Sequence, residues 1–215
     1  MAVTSNDNKH LCFSICVSGA AAGDTVKKDA KLAEQTGTAI AKAGHILTTG
    51  ATVGLPYYAA LGAKKAGGMS IGFSPAVSLL EHLRKYRLPH DAFDFINFTG
   101  LNYVGRDLYL VQSSDAVITI GGRFGSLHEF TSALEARKPC GVLIGSGGTA
   151  DEIPKLMEVL AAPSPELVVY DSDPEKLVAK VIKLLEDKNA ELAKHVKHHD
   201  DSWFLRSDPS SPHAG

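Results

Sequence analysis

The segment ITIGGRFGSLHEF, Ile118–Phe130, places three glycines, a serine and a glutamate directly after an apolar run. The glycines allow a tight turn and let a ligand come close to the backbone. If a helix begins here, its unpaired N–H groups and the positive end of its dipole predict an anion site. However, Ser126 followed three residues later by Glu129 also fits a capping box, in which Glu129 only folds back on its own helix. The segment alone leaves open a phosphate cradle with an acid beside it, or simply a capped helix.

Two further side chains near this segment are of the types that do chemistry. Arg106 lies upstream in GLNYVGRDLYLVQSSDA, where the apolar stripe Val104, Leu108 and Val111 predicts a helix. Because Arg106 falls off that stripe, composition alone favours a solvated arginine. His128 fits a solvated or a core histidine, since HEFTS lacks the second histidine of a zinc motif. We therefore predict no metal site.

Glycine also recurs where the other apolar runs end. In an open α/β sheet, ligands bind beyond the carboxyl ends of the strands, so this repetition indicates a nucleotide or phosphate ligand. No G-x-G-x-x-G follows the first run and no G-x-x-x-x-G-K-[ST] occurs, which disfavours ordinary dinucleotide-binding and P-loop sites. The glycines at these ends are Gly19, Gly50, Gly100, Gly121, Gly122, Gly145, Gly147 and Gly148.

The elements that must position these residues alternate along the chain. Short apolar runs predict seven strands separated by amphipathic helices, with Asp24 or Thr25 capping a first helix that reaches about Ala43. Continuous apolar strands alternating with helices are typical of a parallel sheet covered on both faces. We therefore expect one doubly wound, Rossmann-like three-layer α/β/α domain over residues 1–188. The predicted strands are LCFSICVSG, HILTTG, MSIGFSP, FDFINFTG, DAVITIGG, CGVLIGSGG and ELVVYD.

Two regions depart from this alternation. The basic segment 76–94, AVSLLEHLRKYRLPHDAFD, is a longer excursion between the third and fourth strands, and its part EHLRKYRLPH fits a lid, a dimer contact or, most simply, a solvated helix face. Residues 189–215 form a polar tail whose Pro-, Ser- and Gly-rich end we expect to be disordered.

Composition excludes several classes of function. The 215 residues are 44% hydrophobic and carry a net charge of −2, so no electrostatic footprint for duplex DNA or an anionic membrane is present. Cys12, Cys16 and Cys140 lie in apolar segments and predict buried thiols in a reducing compartment. With no signal-peptide pattern and no apolar run near the roughly 20 residues of a membrane span, we expect a cytoplasmic location.

The motifs together resemble the LOG ("Lonely Guy") superfamily, which includes phosphoribohydrolases that activate cytokinins and are often misannotated as lysine decarboxylases. The resemblance rests on SGAAAGD, TTGATVGLPYYAALGAKKAGGMSIGFSP and TGLNYVGRDLYLVQSSDAVITIGGRFGSLHEFTSALEARKP, and covers roughly residues 11–185. The pattern of motifs is most similar to that of members related to the DNA-processing protein DprA and to that of molybdenum cofactor carrier proteins. The resemblance implies the same Rossmann-like fold and a homodimer.

The resemblance also implies roles for single residues. The P-G-G-x-G-T-x-x-E motif of LOG enzymes, laid without gaps from Gly121 to Glu129, makes Glu129 the catalytic glutamate, and the family's catalytic arginine falls on Arg106. Gly121 replaces the motif's proline and Arg123 its second glycine, which adds a guanidinium suited to a phosphate. The methionine-histidine-glutamate-arginine-lysine signature of the plant-type enzymes is missing, which argues against cytokinin specificity. The phosphate- or nucleotide-binding residues implied are Gly19, Gly50, Gly54, Gly121, Gly122, Arg123, Phe124, Gly125 and Ser126.

Three functions follow from this reading. The first is hydrolysis of the N-glycosidic bond of a nucleoside 5′-monophosphate, with no required cofactor and a bound nucleotide or phosphate. The second is binding without turnover, as a nucleotide-binding or molybdenum cofactor carrier protein. The third and weakest is single-stranded DNA binding through the DprA kinship, which the near-neutral charge and the absence of aromatic clusters in a basic groove disfavour.

Overall fold

Seven short apolar runs form the strands of a single sheet in the computed structural model, which describes residues 11–162 and 164–190. Every strand pairing is parallel, and the strand order is β4-β3-β2-β1-β5-β6-β7. The predicted doubly wound, Rossmann-like α/β fold is confirmed. The strands are β1 (Ser14–Gly19), β2 (Ile46–Thr49), β3 (Ser70–Ser74), β4 (Phe95–Phe98), β5 (Ala116–Ile120), β6 (Cys140–Leu143) and β7 (Val168–Asp171).

Helices connect the strands and cover the sheet. They are α1 (Asp24–Lys42), α2 (Leu55–Lys65), α3 (Leu79–Arg84), α4 (Asn102–Gln112), α5 (Phe124–Glu135), α6 (Gly148–Val159) and α7 (Pro174–Lys188), with a 3-10 turn at Pro165–Leu167. The predicted cap of α1 is wrong: Gly23 holds the N-cap position and no side chain caps the helix. Asp24 is the first helical residue, where its carboxylate still interacts favourably with the positive end of the helix dipole.

The apolar core lies between the sheet and its helices. Strand β5, next to the central strand β1, is buried along its whole length, which explains its largely apolar sequence. The helix α7 shows ordinary amphipathic packing, with Leu177, Val178, Val181 and Leu185 buried. Among the cysteines, Cys16 and Cys140 are buried as predicted, whereas the prediction for Cys12 is wrong because it lies exposed just before β1.

The strand order reverses between β1 and β5. From β1 the chain proceeds outward through β2, β3 and β4, and then returns to place β5 on the other side of β1. In the register of this pair Gly19 lies opposite Ile120. Connections that leave two neighbouring strands in opposite directions open a crevice at their carboxyl ends, which is the usual ligand position in such sheets.

Helix α4 is oriented differently from the prediction. Val104 is 69% exposed and Leu108 is also exposed, while Arg106 and Asp107 are buried with Leu110 and Val111. Two of the three residues of the predicted apolar stripe therefore face outward, and the solvated Arg106 predicted from composition is wrong. The physical reason is a set of polar partners for Arg106 inside the fold.

The basic segment 76–94 contains α3 and a buried histidine. The two ring nitrogens of His82 lie 2.8 Å from Ser74 Oγ and 2.8 Å from the carbonyl oxygen of Pro89, which ties the segment to the end of β3. The charged residues Arg84, Lys85 and Arg87 are exposed, as a solvated face requires. The same surface also exposes apolar side chains, namely Val77, Leu79, Leu80 and Leu83.

Residues 12–185 form one compact unit. Of the second unit, only residue 11 and residues 186–190 are described. Most of the predicted polar tail, from residue 191 onward, lies outside the described residues, so the expected domain boundary at residue 188 stays a prediction. Within the described part of the chain, no helix combines the length and apolar character needed to cross a membrane.

Candidate functional site

A cavity of about 230 Å³ opens at the carboxyl ends of the central strands. Its floor is the end of β1, its walls come from the loops after β1 and β2 and from α4, and the start of α5 closes it. It therefore occupies the crevice that the reversal of strand order creates. The lining residues are Val17, Ser18, Gly19, Ala20, Ala21, Gly50, Thr52, Pro56, Tyr103, Arg106, Asp107, Arg123, Gly125, Ser126 and Glu129.

The start of α5 supplies backbone donors to this cavity. The helix begins at Phe124 with Arg123 at the N-cap, and no side chain caps it. Ser126 is thus the third helical residue, and the predicted capping box with Glu129 is wrong. Amides in the first turn of a helix have no carbonyl partner within the helix, so they are available to an anion.

The turn before α5 depends on glycine at one position. Gly122 has a φ of +99°, and a Cβ atom placed on it would overlap the side chain of Ser126. The carbonyl oxygen of Gly122 accepts hydrogen from the amide of Thr149 at 3.1 Å, and Thr149 Oγ1 donates to the carbonyl oxygen of Arg123 at 2.8 Å. The first turn of α6 therefore braces the turn that presents α5. Arg123 has an extended backbone with φ −134°, so the arginine in this glycine motif carries no strain of positive φ.

Arg106 is held in place beneath the cavity. Its side chain is about 5% exposed; Nη1 donates to the carbonyl oxygen of Phe73 at 3.1 Å, and Nε lies 3.1 Å from Asp107 Oδ1. The ring of Tyr103 lies with its centroid 5.9 Å from the guanidinium carbon. Any Cβ atom at Gly50 would overlap the guanidinium group, so glycine at the end of β2 makes the room that Arg106 needs.

Glu129 is a buried acid that faces the cavity. It is 8% exposed and its Oε2 accepts a hydrogen bond from the hydroxyl of Ser18 at the end of β1. Burial raises its pKa to about 7; the positive charge of Arg106 opposes this shift and the nearby Asp107 carboxyl adds to it. A carboxyl group poised near neutral pH can donate or accept a proton at physiological pH.

Asp107 joins Arg106, Glu129 and His128. Its Oδ1 pairs with Arg106, its carboxyl group is hydrogen-bonded to Glu129, and its Oδ2 lies 3.4 Å from His128 Nδ1. His128 is one turn from the start of α5 with its side chain 35% exposed, and it does not line the cavity. The buried charges thus form one connected cluster from the cavity to the surface.

The structure separates the predicted site residues into two groups. The residues that line the cavity are Gly19, Gly50, Arg106, Arg123, Gly125, Ser126 and Glu129. The others lie nearby and shape it: Gly54 precedes α2, Gly121 donates its amide to Ser146 Oγ at 2.8 Å, and Gly122 and Phe124 line a neighbouring groove between α5 and α6. Phe124 projects outward and is 88% exposed.

Sequence reasoning missed Ser18, Asp107 and Tyr103. Ser18 is the hydroxyl at the carboxyl end of the first strand, and that position was a usable signal. Asp107 directly follows Arg106, but the predicted apolar stripe placed a different face of the helix inward, so Asp107 was not expected to be buried. Among residues 11–162 and 164–190, no group of three His, Cys, Asp or Glu side chains is arranged to hold a metal ion.

Solved structures with this geometry include molybdenum cofactor proteins. The molybdenum cofactor carrier protein from Chlamydomonas reinhardtii is 30% identical, with a TM-score of 0.66, over 81% of this chain and 99% of its own. The molybdenum cofactor binding protein from Rippkaea orientalis is 31% identical, with a TM-score of 0.67, over 81% of this chain and 98% of its own. DprA from Helicobacter pylori, at 18% identity and a TM-score of 0.50 over 80% of each chain, shares the fold alone.

The family assignment rests on a match along most of the chain. The profile of the SLOG cluster4 family matches residues 12–178, which contain every site residue described above. The predicted superfamily resemblance is confirmed, and the chain belongs to the SLOG cluster4 family.

Proposed function

We propose that this protein hydrolyses the N-glycosidic bond of a nucleoside 5′-monophosphate, giving the free base and ribose 5-phosphate. The observation that carries the proposal is the placement of a buried acid, Glu129, in one cavity with Arg106 and the open N-terminus of α5. These are the groups needed to hold a phosphate and to manage a proton at a reacting sugar.

The roles follow from position. The amides at the start of α5 and the exposed Arg123 bind the phosphate, and Arg106 fixes the ribose or the phosphate from below. As the C1′–N bond breaks, its electron pair passes to the base and the ribosyl group becomes cation-like. In its ionised form Glu129 stabilises that cation and accepts a proton from the attacking water, while the departing base gains a proton from solvent. Water adds its oxygen to C1′, so the products balance.

The test is direct incubation of the purified protein with AMP, GMP and CMP, followed by chromatography for free base. Glu129→Gln should lower kcat by about 10²–10⁴-fold, because it removes the acid–base group. Glu135→Gln is the matched control, since Glu135 is exposed at the far end of the same helix. Hydrolysis that persists unchanged in Glu129→Gln contradicts the role given to Glu129.

A second candidate is a carrier that binds without turnover. It is favoured by the identity of 30–31% to molybdenum cofactor proteins over nearly their whole length. Arg123, at the mouth of the same cavity, adds a cation that strengthens retention of a phosphate-bearing ligand. A pterin or nucleotide that co-purifies with the protein, together with no base release from any nucleotide, supports this candidate over the first. Arg123→Gly should then speed ligand release.

We further propose that the protein is a homodimer joined through the surface around α4. Val104, Leu108 and Leu101 are exposed there, and Tyr103 packs edge-on against Tyr86 of the basic segment at a centroid distance of 5.5 Å. Together with the apolar side chains at α3, they form an exposed apolar surface of the kind that marks protein interfaces.

The dimer proposal has a matched control. Val104 on α4 and Val159 on α6 are both 69% exposed valines. Val104→Glu should shift the mass measured by light scattering from dimer to monomer, because it places charge in the apolar contact. Val159→Glu should leave the mass unchanged. If both variants remain dimeric, the surface around α4 is not the interface.

A further inference from the structure

Glu129 reaches solvent by two routes. One is the cavity itself, which a bound ligand covers. The other leads through Asp107, hydrogen-bonded to Glu129, and then to His128, whose Nδ1 lies 3.4 Å from Asp107 Oδ2. Since His128 does not line the cavity and is one-third exposed, this second route stays open when a ligand fills the cavity.

The charges around the carboxyl groups of Asp107 and Glu129 favour a state in which the two groups share one proton. Arg106 pairs with Asp107 and also acts electrostatically on Glu129, so two ionised carboxylates beside this single positive charge would leave one negative charge uncompensated in a buried place. A hydrogen bond between two carboxyl groups also requires that one of them carries the proton. The Ser18 hydroxyl donates to Glu129 and so favours its ionised form. The other titratable or charged side chains near Glu129 are Cys16 on β1, Tyr103 on α4, and Arg123 and His128 at α5.

We propose that Glu129, Asp107 and His128 form a proton relay, in which His128 exchanges protons between the ligand-covered site and solvent. The catalytic use of the relay rests on the hydrolysis proposed above, whereas the linkage among the three side chains does not. In turnover, Glu129 takes a proton from the attacking water, and a proton passes from Glu129 to Asp107 and from Asp107 Oδ2 to His128 Nδ1. His128 then releases a proton to solvent from Nε2. One proton enters the relay and one leaves, so Glu129 returns to its ionised form. The proton that His128 releases offsets the one that the departing base takes up from solvent, so the overall reaction is neutral in protons.

If His128 has a purely structural role, its removal affects the kinetics differently from the removal of a relay residue. In that case the imidazole only orients Asp107, and through it Arg106, so its loss would disturb ligand binding and no small molecule would restore it. A relay residue instead limits proton exchange, so its loss lowers kcat with KM unchanged. Added imidazole, which can carry protons from solvent, then restores the rate.

The kinetic experiment uses His128→Ala with AMP as substrate. We expect kcat to fall about 10-fold, less than the roughly 10²-fold minimum for losing the acid–base group itself. Imidazole in the buffer should restore most of the loss, and more strongly as the pH rises and free imidazole base accumulates. His90→Ala, at another exposed histidine, should show neither the loss nor the rescue. A normal kcat, or a loss that imidazole does not repair, overturns the relay.

A second experiment decides the linkage even if no nucleotide is hydrolysed. The titration midpoint of His128 is measured by NMR in four proteins: wild type, Glu129→Gln, Asp107→Asn and the double variant. Glu129→Gln leaves Asp107 fully ionised beside His128, because the two carboxyl groups no longer share a proton. We therefore expect this substitution to raise the midpoint when Asp107 is present and to have no effect in the Asp107→Asn background. An equal shift in both backgrounds indicates a through-space charge effect, and no shift in either indicates no linkage; both results overturn the proposal. Lack of base release with the expected NMR pattern would instead remove only the proposed hydrolysis.

Discussion

The interior beneath α4 and the interior beneath α7 are built in opposite ways. Helix α7 buries Leu177, Val181 and Leu185 and leaves its charged residues outside. Helix α4 buries Arg106 and Asp107 and leaves apolar residues exposed. Both helices pack in the same domain, so the difference does not come from the class of fold.

The difference separates stability from function. Buried aliphatic side chains favour folding by removing apolar surface from water, whereas buried charges favour it only when every partner is in place. The interior beneath α7 contributes to the free energy of folding, and the interior beneath α4 holds the buried charges of the candidate site at some expense of that free energy. Four experiments test this contrast and the candidate site beside it, beginning with the largest expected effect.

Removing the cation beneath α4 should give the largest effect. Arg106→Met leaves Asp107 and Glu129 without their buried counter-charge, which we expect to lower the free energy of unfolding by about 3–5 kcal/mol. Lys180→Met on α7 breaks an ion pair with Asp171 at 2.8 Å in which the lysine side chain is half exposed. This substitution should lower the free energy of unfolding by at most about 1 kcal/mol. Urea denaturation at pH 8 measures both. Equal losses would remove the contrast between the two helices.

Leucines on the two helices should respond differently to truncation. Leu177→Ala opens a cavity in the core and should lower the unfolding free energy by about 2–5 kcal/mol. Leu108→Ala removes a side chain that is 46% exposed and should change it by no more than about 0.5 kcal/mol. The measurement is thermal unfolding of dilute protein, so that association does not contribute. A large loss of unfolding free energy in Leu108→Ala would contradict the exposed position of Leu108 and support the buried position predicted from the apolar stripe.

The acid in the cavity should make stability depend on pH. Because the pKa of Glu129 is raised from 4.5 to about 7 in the folded protein, the folded state binds more protons than the unfolded state between those values. The contribution of Glu129 is therefore fully present below about pH 4.5 and falls as the pH rises toward 7, by up to about 3 kcal/mol. Glu129→Gln should flatten this part of the profile in urea titrations from pH 5 to pH 8. A profile identical to that of wild type would contradict the assigned protonation.

The smallest expected change in unfolding free energy is for a substitution in the first turn of α5. Beyond its chain neighbours and the backbone of its own helix, no atom lies within 4 Å of a Cβ placed on Gly125, and its φ is not positive. Gly125→Ala should therefore raise the unfolding free energy by about 0.5–1 kcal/mol, as alanine favours a helix. Because Gly125 lines the cavity, the added methyl group should also weaken AMP binding measured by calorimetry. Unchanged affinity would mean that the ligand does not approach this turn.

Sequence patterns predicted the sheet and failed at α4 for physical reasons. The strands were readable because β5, buried on both faces, has to be largely apolar. The stripe of Val104 and Leu108 was misread because apolar periodicity shows which face is apolar and not what covers that face. The capping box at Ser126 was misread since local spacing carries no information about Ser18, the long-range partner of Glu129. Gly50 marked the cavity correctly, but its contact with Arg106 is tertiary and appears only in the structure.

The pairing of β1 with β5 also sets the order in which the protein can become functional. Ser14 at the start of β1 donates its amide hydrogen to Asp115 just before β5 at 2.7 Å, a contact that closes a loop of 101 residues. Closing a loop of this length is a late and slow event compared with forming local contacts. During synthesis, Ser18 and Gly50 leave the ribosome well before Glu129 does, so a nascent chain holds the floor of the cavity without its acid. The ligand binding proposed above therefore requires that the two halves of the sheet have already joined.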